Sequence, residues 1–323
     1  MKYLVFVEHL DGKLKKQAAE LVCYARYLAE KVQGKVVVMA SGNIAREELA
    51  KLSEFGAEKI IHISDTANDD YDSGLLSGII SDIFTRDEFG VLILANSPTG
   101  KSLAPRLSVK LKAGLVPGVM SLPQTEDIFL LKKKIFNGKA FAHVKVNTSE
   151  MIITLNKNSC AVKASPVEYE WEEYRSDAAE RPAGIELLET TSNQSGSLLT
   201  EAAVVVSGGR GMRSADNWGP LEELAQTLGA ALACSKPVSD EGWRPHEEHV
   251  GQTGKTIAPD LYIATGISGA IQHLAGVSSS KTILAINTDK DAPIFEMADY
   301  GVVGDALKIL PEFIKSVNKL QDS

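Results

Sequence analysis

Short apolar runs rich in Val, Ile and aromatic residues alternate with segments of helical period along this chain, and the alternation restarts after a polar interruption. Tyr3 to Val7 is followed by Lys15 to Lys31, where Ala18, Leu21, Val22, Ala25, Leu28 and Ala29 recur at helical spacing. The same couplet returns as Val36 to Met39 with Ala45 to Phe55, Ile60 to Ile63 with Leu75 to Phe84, and Val91 to Ala95 with Leu103 to Leu111. Such a chain is confined to a mainly parallel sheet with right-handed crossovers and helices on both faces. After Pro123 the pattern changes. Ile128 to Leu131, Ala140 to Val146 and Met151 to Asn156, separated by NGK and NTSE, predict antiparallel strands that extend or cover one sheet edge.

The interruption runs from Pro166 to Ser197. It holds the acidic run EYEWEEY, Pro182, Gly184 and a Ser/Thr/Asn/Gln/Gly cluster with no sustained period, so a solvated tether is expected, with a domain boundary near Leu198. Residues 1–197 and 198–323 are the two domains this implies. From Ala202 the alternation resumes: Val204 to Val206, a helix from Pro220 to Leu228, Leu261 to Ala264, a helix opened by Ser268, Thr282 to Ile286, Tyr300 to Val303 and Ala306 to Val317. The expected fold class is α/β, with two doubly wound, mainly parallel-sheet domains, the first carrying an added antiparallel hairpin region.

Composition narrows function. A chain of 323 residues, 44% hydrophobic and 24% charged, is long enough for two cores. Its net charge of −8 comes from interspersed acids and leaves no basic stripe, which argues against nucleic-acid binding. Cys23, Cys160 and Cys234 lie far apart without ligand spacing, against both a disulfide scaffold and a metal site. No apolar run approaches a membrane span, and the MKYLVFVEHLDGK terminus has neither a secretory h-region nor transit-peptide character. No membrane insertion, and a cytoplasmic chain or the mature form of an organellar one, are expected.

Four Gly/Ser/Thr-rich turns in the last third sit beside apolar strand-like runs: SGGRG after AVVV, VGQTGKT before PDLYIATG, SGAIQHLAG after it, and INTDKDAP after TILA. Turns of this kind present backbone N–H groups to anions, which points to a large phosphate-bearing cofactor. It is not held by a P-loop. HVGQTGKT and ANSPTGKS have His249 and Ala95 where the first glycine belongs. Nor is SGGRGM a dinucleotide fingerprint, because the third glycine is misplaced and no acidic residue closes a second strand at the usual distance.

The remaining candidates each carry a plainer alternative. Ser268 is either a simple helix cap or, with Gly269 beside it, part of an anion site. His273, with Gln272 next to it, is either a satisfied structural histidine or a donor to an electron-rich heterocycle. Arg210, between two glycines, is either an idle surface arginine or a contact to pyrophosphate or a planar ring; Lys236, after Cys234 and Ser235, is a second cation or a solvated lysine. Gln252, Thr253 and Asn287 offer amides and a hydroxyl, and Asp305 either caps a helix or holds a ribose or ribityl hydroxyl.

The segment VVSGGRGMRSADN…ACSKPVSDEGW…HVGQTGKTIAPDLYIATGISGAIQHLAG…TILAINTDKDAPIFEMADYGVVGDALKILPEFI closely resembles the FAD domain of electron transfer flavoprotein α subunits. The amino-terminal half resembles the same family more loosely, through PTGKSLAPRLSVKL and NGKAFAHV. The resemblance implies a heterodimer in which this chain supplies most of an FAD site and a β subunit packs on its first domain. It implies FAD contacts from Arg210, Ser235, Lys236, Val250, Gly251, Gln252 and Thr253. It implies others from Ser268, Gly269, Ala270, Ile271, Gln272, His273, Asn287, Asp305 and Ala306. Ser268, Gly269 and Ala270 would approach the pyrophosphate, and Thr253 and His273 the isoalloxazine. Two positions depart from the family: Lys236 stands where arginine is common, keeping charge but losing the planar fork, and Ala306 replaces a bulkier apolar residue.

The resemblance further implies an electron carrier and not an enzyme, taking electrons from acyl-CoA dehydrogenase-type donors and passing them singly to a quinone oxidoreductase-type acceptor. Arg210, Lys236 and His273 would favour negative charge on the reduced ring, at about 1.5–3 kcal/mol for a charged donor. A carrier needs no nucleophile or acid/base pair, and none stands out by spacing, which agrees with that role and disfavours a hydrolase. Two alternatives stay open on the sequence: an electron-bifurcating subunit that oxidises NADH, and a non-catalytic adenine-nucleotide-binding module.

Overall fold

The computed structural model describes residues 1–64, 72–123, 129–136, 140–175 and 199–321. The polar stretch around Pro182 and Gly184, the boundary expected near Leu198, Ile128 and the NGK turn lie outside the described residues. The chain divides into two compact units, Met1–Thr191 and Ser192–Ser323.

In the first unit the elements follow as β1 (Lys2–Phe6), a short hairpin of β2 (His9–Leu10) and β3 (Lys13–Leu14), α1 (Gln17–Lys31), β4 (Lys35–Ser41), α2 (Arg46–Ala50), β5 (Lys59–Ile63), α3 (Ser73–Arg86) and β6 (Val91–Ala95). They continue as α4 (Pro98–Leu111), β7 (Gly114–Val119), β8 (Leu130–Ile135), β9 (Ala140–Lys145), β10 (Met151–Leu155) and β11 (Glu170–Tyr174). The helices begin where local chemistry lets them. Asp72 accepts from the N–H groups of Gly74 and Leu75 at 2.7 and 3.3 Å, and Ser97 accepts from Gly100 at 3.0 Å ahead of Pro98. The sheet has the order β11-β5-β4-β1-β6-β10-β7-β8-β9 and is parallel except for β8 and β9. Tyr3, Val5 and Val7 bury against one helix layer, Leu4 and Phe6 against the other, so both faces are covered.

Two expectations are corrected here. Met151–Leu155 is not an antiparallel strand at the edge but lies between β6 and β7, parallel to both. All five of its residues are buried, four of them apolar and Thr154 donating to Asn96 Oδ1 at 2.9 Å, as a strand covered on both faces requires. The acidic run is not a free tether along its whole length. Glu170–Tyr174 pairs residue for residue with β5 as a parallel edge strand. One of its acids is matched by two cations: Glu172 meets Lys59 at 2.6 Å and Arg86 at 2.8 Å, while the Trp171 ring centre lies 4.9 Å from the Arg46 guanidinium.

The second unit runs β12 (Val204–Gly208), α5 (Gly219–Leu228), β13 (Ala231–Cys234), α6 (Lys236–Asp240), β14 (Leu261–Thr265), α7 (Ile271–Val277), β15 (Thr282–Asn287), β16 (Tyr300–Val303) and α8 (Ala306–Gln321). Its sheet is parallel throughout, in the order β13-β12-β14-β15-β16. Val205, Tyr262 and Ala264 fill one face, and Val206 and Ile263 the other. This is the doubly wound arrangement expected from the alternation.

Candidate functional site

Strand order fixes where a ligand can enter. The chain steps from β12 outward to β13, then crosses back to β14, so neighbouring crossovers leave β12 and β14 on opposite faces. In an open parallel sheet the crevice lies at that switch point, outside the carboxyl ends of the strands. Gly208 and Thr265 are partners there.

Two glycine turns interlock over the switch point. Gly209 donates to the Thr265 carbonyl at 2.9 Å and Gly211 to the Gly266 carbonyl at 3.0 Å. A Cβ on Gly209 would lie 2.3 Å from the Gly266 oxygen, and one on Gly211 2.6 Å from the Gly266 Cα, so side chains would force the turns apart. Neighbouring loops are tied to them in series. Ser235 donates to Gly208 at 3.0 Å, Val250 to Cys234 at 3.0 Å and Gln252 to the Gln272 carbonyl at 2.7 Å. On the other side Asn287 Nδ2 donates to the Ile267 carbonyl at 2.8 Å, and Ile294 to that of Ser268 at 3.1 Å. Four turns that are remote in sequence thus form one continuous rim.

The rim sorts the predicted residues. Arg210, Lys236, Gln252, Thr253, Ser268, Ala270, Ile271 and Gln272 are exposed on it. Ser235, Gly251 and Gly269 are buried within it. Val250 is buried with both backbone groups engaged, its N–H on Cys234 and its carbonyl on His273, so it supports the loop from beneath. Ala306 sits in the core packed with Leu310 and Ile314. Asp305 caps α8, its Oδ1 accepting from Leu307 at 3.1 Å, while its Oδ2 pairs with Arg213 at 2.8 Å.

Ser268 does not cap α7. The helix starts three residues later, with Ala270 at the cap position, because Gly266 and Gly269 at φ of +63° and +85° turn the chain before the helix begins. Among the described residues no acceptor takes the N–H of Gly269 or Ala270. His273 is the satisfied histidine of the two alternatives. Its Nδ1 lies 3.0 Å from the Val250 carbonyl and must donate, so its Nε2, 2.8 Å from the Tyr262 hydroxyl, accepts. Burial holds its pKa down to about 4, against the weaker opposing pull of the Val250 carbonyl. The ring is neutral near pH 7 and supplies no cation to the site.

Sequence reasoning missed three contributors. Arg213, at φ +72°, is paired with Asp305; Tyr262 anchors His273 from the middle of a strand; and His249, just before the VGQTG turn, lies under that turn. Only His249 had a signal, its adjacency to the motif. The matching switch point of the first unit, between β1 and β6, is occupied differently. Glu8 there bonds the Ser97 hydroxyl and pairs with Lys15 at 2.6 Å, and a carboxylate at that position disfavours an anion. The rim of exposed amides, hydroxyls and two cations in the second unit suits an anionic ligand with a planar polar ring; no group of three or more metal-ligating side chains occurs among the described residues.

Comparison with known proteins gives two family matches, the electron transfer flavoprotein domain over residues 3–186 and the electron transfer flavoprotein FAD-binding domain over residues 198–278. The chain is 37% identical over 320 residues to an electron transfer flavoprotein subunit alpha of Mycobacterium leprae, covering 97% of each. It is 34% identical over 329 residues to the Bacillus subtilis protein of the same name, covering 99% of this chain and 98% of that one. A Mycobacterium tuberculosis counterpart is 38% identical over 317 residues, with 97% of each covered.

Proposed function

The chain belongs to the electron transfer flavoprotein family, among its α subunits, and on that premise we propose that the rim at the β12–β14 switch point is its FAD site. It is an electron-transfer flavoprotein subunit, a carrier and not a catalyst. Bound FAD supplies an isoalloxazine that takes and returns electrons one at a time.

The protein's own part is to bind, orient and bias. The N–H groups of Gly269 and Ala270, with Ser268, are placed to meet a diphosphate, which needs donors that have no protein partner. Arg210 and Lys236 bring positive charge to the same rim and favour negative charge on whatever rests there. Gln252 and Thr253 stand exposed on one loop and offer an amide and a hydroxyl to ring heteroatoms. Asn287 and His273 act indirectly, Asn287 by holding the 267 turn and His273 by holding Val250. Asp305 orders α8 and stands at the edge of the rim, where its pairing with Arg213 competes with any ribose contact.

The proposal extends to partners. A β subunit packs on the first unit to give a heterodimer, electrons arrive from flavin dehydrogenases of the acyl-CoA type, and they leave to a quinone oxidoreductase. Family membership supports the β subunit; the carrier role requires a donor and an acceptor, and these two kinds rest on the resemblance alone. No helix among the described residues is long and apolar enough to cross a membrane.

The observation that supports the reading is the interlock of Gly209 and Gly211 with Gly266, which joins the turns into one rim at the switch point, the position where open parallel sheets take their ligands. Co-expression with the β subunit is the test. The complex is expected to be yellow with stoichiometric FAD, bleaching in stages under dithionite and recovering colour on reoxidation. Colourless material that takes up no added FAD would reject the reading.

A further inference from the structure

His249 is buried to 2% exposure directly beneath the turn that carries Gln252 and Thr253. The turn is closed on itself: Gly251 donates to Lys255 at 3.1 Å, Gly254 to Gly251 at 3.2 Å, and Lys255 to the His249 carbonyl at 2.9 Å. The imidazole occupies the space inside. A Cβ on Gly254 would come within 2.8 Å of both Cγ and Nδ1 of His249, and one on Gly251 within 3.4 Å of its Nε2. Both glycines of the motif therefore rest against the same ring. Among the described residues Nδ1 has no hydrogen-bond partner, a state that is costly for a buried polar atom and is retained here in a loop otherwise well bonded.

We propose that His249 is a positioning residue for the cofactor loop: its neutral imidazole is the pedestal on which Gly251–Gly254 fold, and protonating it releases the loop and loosens FAD. The inference rests on the FAD site proposed above. The groups facing the ring make charging unfavourable. Burial is the largest influence and lowers its pKa; His246, with ring centroid 5.4 Å away, and Lys236 at the start of α6 act the same way, against Asp240 at the end of α6. His273 on α7 is neutral near pH 7. The sign follows. A histidine held neutral in the ordered loop and free to titrate once the loop opens favours the ordered state above its ordinary value of about 6.5, and that preference is lost as pH falls below it.

The test uses the flavin-loaded heterodimer, with free FAD measured by fluorescence after ultrafiltration from pH 8 to 5. Wild type is expected to lose at least fivefold in affinity between pH 7 and pH 5, while His249→Gln and His249→Asn, neutral at every pH, hold it within twofold. His249→Ala, which leaves the turn unsupported, is expected to bind at least tenfold more weakly even at pH 8. His246→Gln keeps a pH-dependent profile, its midpoint moved upward because one neighbouring positive charge is gone. A wild-type profile surviving in both His249→Gln and His249→Asn, full affinity at pH 8 in His249→Ala, or a flat profile in His246→Gln would each overturn the inference while leaving FAD binding intact. A wild-type heterodimer that holds no FAD at pH 8 would overturn the FAD site itself, and this inference with it.

Discussion

The Tyr262 hydroxyl donates to His273 Nε2 at 2.8 Å, and both residues are buried. The pair is internal scaffolding, because the second ring nitrogen is spent on Val250. Tyr262→Phe would leave Nε2 buried without a donor, at an expected cost of about 1–3 kcal/mol in urea unfolding at pH 7. His273 also predicts acid sensitivity. Its neutral form is favoured from an ordinary 6.5 down to about 4, so roughly 3 kcal/mol of stability is present above pH 6.5 and disappears as pH falls toward 4. Unfolding of wild type and His273→Gln at pH 7 and 4.5 checks this; equal acid losses in both would refute it.

Gly269 has φ +85°, and a Cβ there would sit 2.2 Å from the backbone nitrogen of Ile294. Gly269→Ala is expected to displace the turn that offers the Gly269 and Ala270 donors. FAD content of the purified heterodimer should fall at least tenfold with little change in far-ultraviolet circular dichroism. Full occupancy in the variant would show that the turn does not hold the cofactor.

Lys236 is exposed at the start of α6, so its charge reaches the rim partly screened. Lys236→Gln is expected to lower the first one-electron potential of the bound flavin by roughly 30–60 mV, half to one decade at about 59 mV per decade. Spectroelectrochemical titration measures it. An unchanged or raised potential would remove Lys236 from the site.

Arg213 is the centre of a three-residue turn, with Ser214 donating to the Met212 carbonyl at 2.9 Å, and at φ +72°, ψ −36° its backbone is strained. Its pairing with Asp305 is 62% exposed on the arginine side and contributes little by itself. Asp305→Ala is therefore expected to cost about 1 kcal/mol, nearly all of it from the lost α8 cap. A double-mutant cycle with Arg213→Ala should show coupling below about 0.5 kcal/mol; a larger value means the pair, not the cap, orders this corner.

Glu20 on α1 accepts from the N–H groups of Asn158, Ser159 and Cys160 at 3.2, 2.5 and 3.1 Å, clipping the turn after β10 to the helix. Glu20→Ala is expected to destabilise the first unit by about 3 kcal/mol or more by leaving buried donors unpaired. Hydrogen exchange should show α1 and β10 opening together. Faster exchange confined to the turn would limit Glu20 to a local role.

Periodicity alone determined that this chain forms parallel sheets with helices on both faces, since runs such as Val91 to Ala95 followed by Leu103 to Leu111 have few other ways to bury themselves. The motifs around Arg210, Thr253 and Ser268 likewise marked the loops that the fold brings together in the proposed site. What sequence could not carry was any property set by a neighbour distant in the chain. MIITL says only that a strand is mostly apolar; its place between β6 and β7 depends on strands contributed from elsewhere. EYEWEEY reads as solvated until Lys59, Arg86 and Arg46 are brought beside it. His273 offers a proton or withholds it according to Tyr262 and the Val250 carbonyl, and His249 becomes a pedestal only when Gly251 and Gly254 close over it. Local spacing dictates secondary structure because neighbouring residues share one backbone; charge state, burial and hydrogen-bond roles are set by groups that only the tertiary fold brings within a few ångströms.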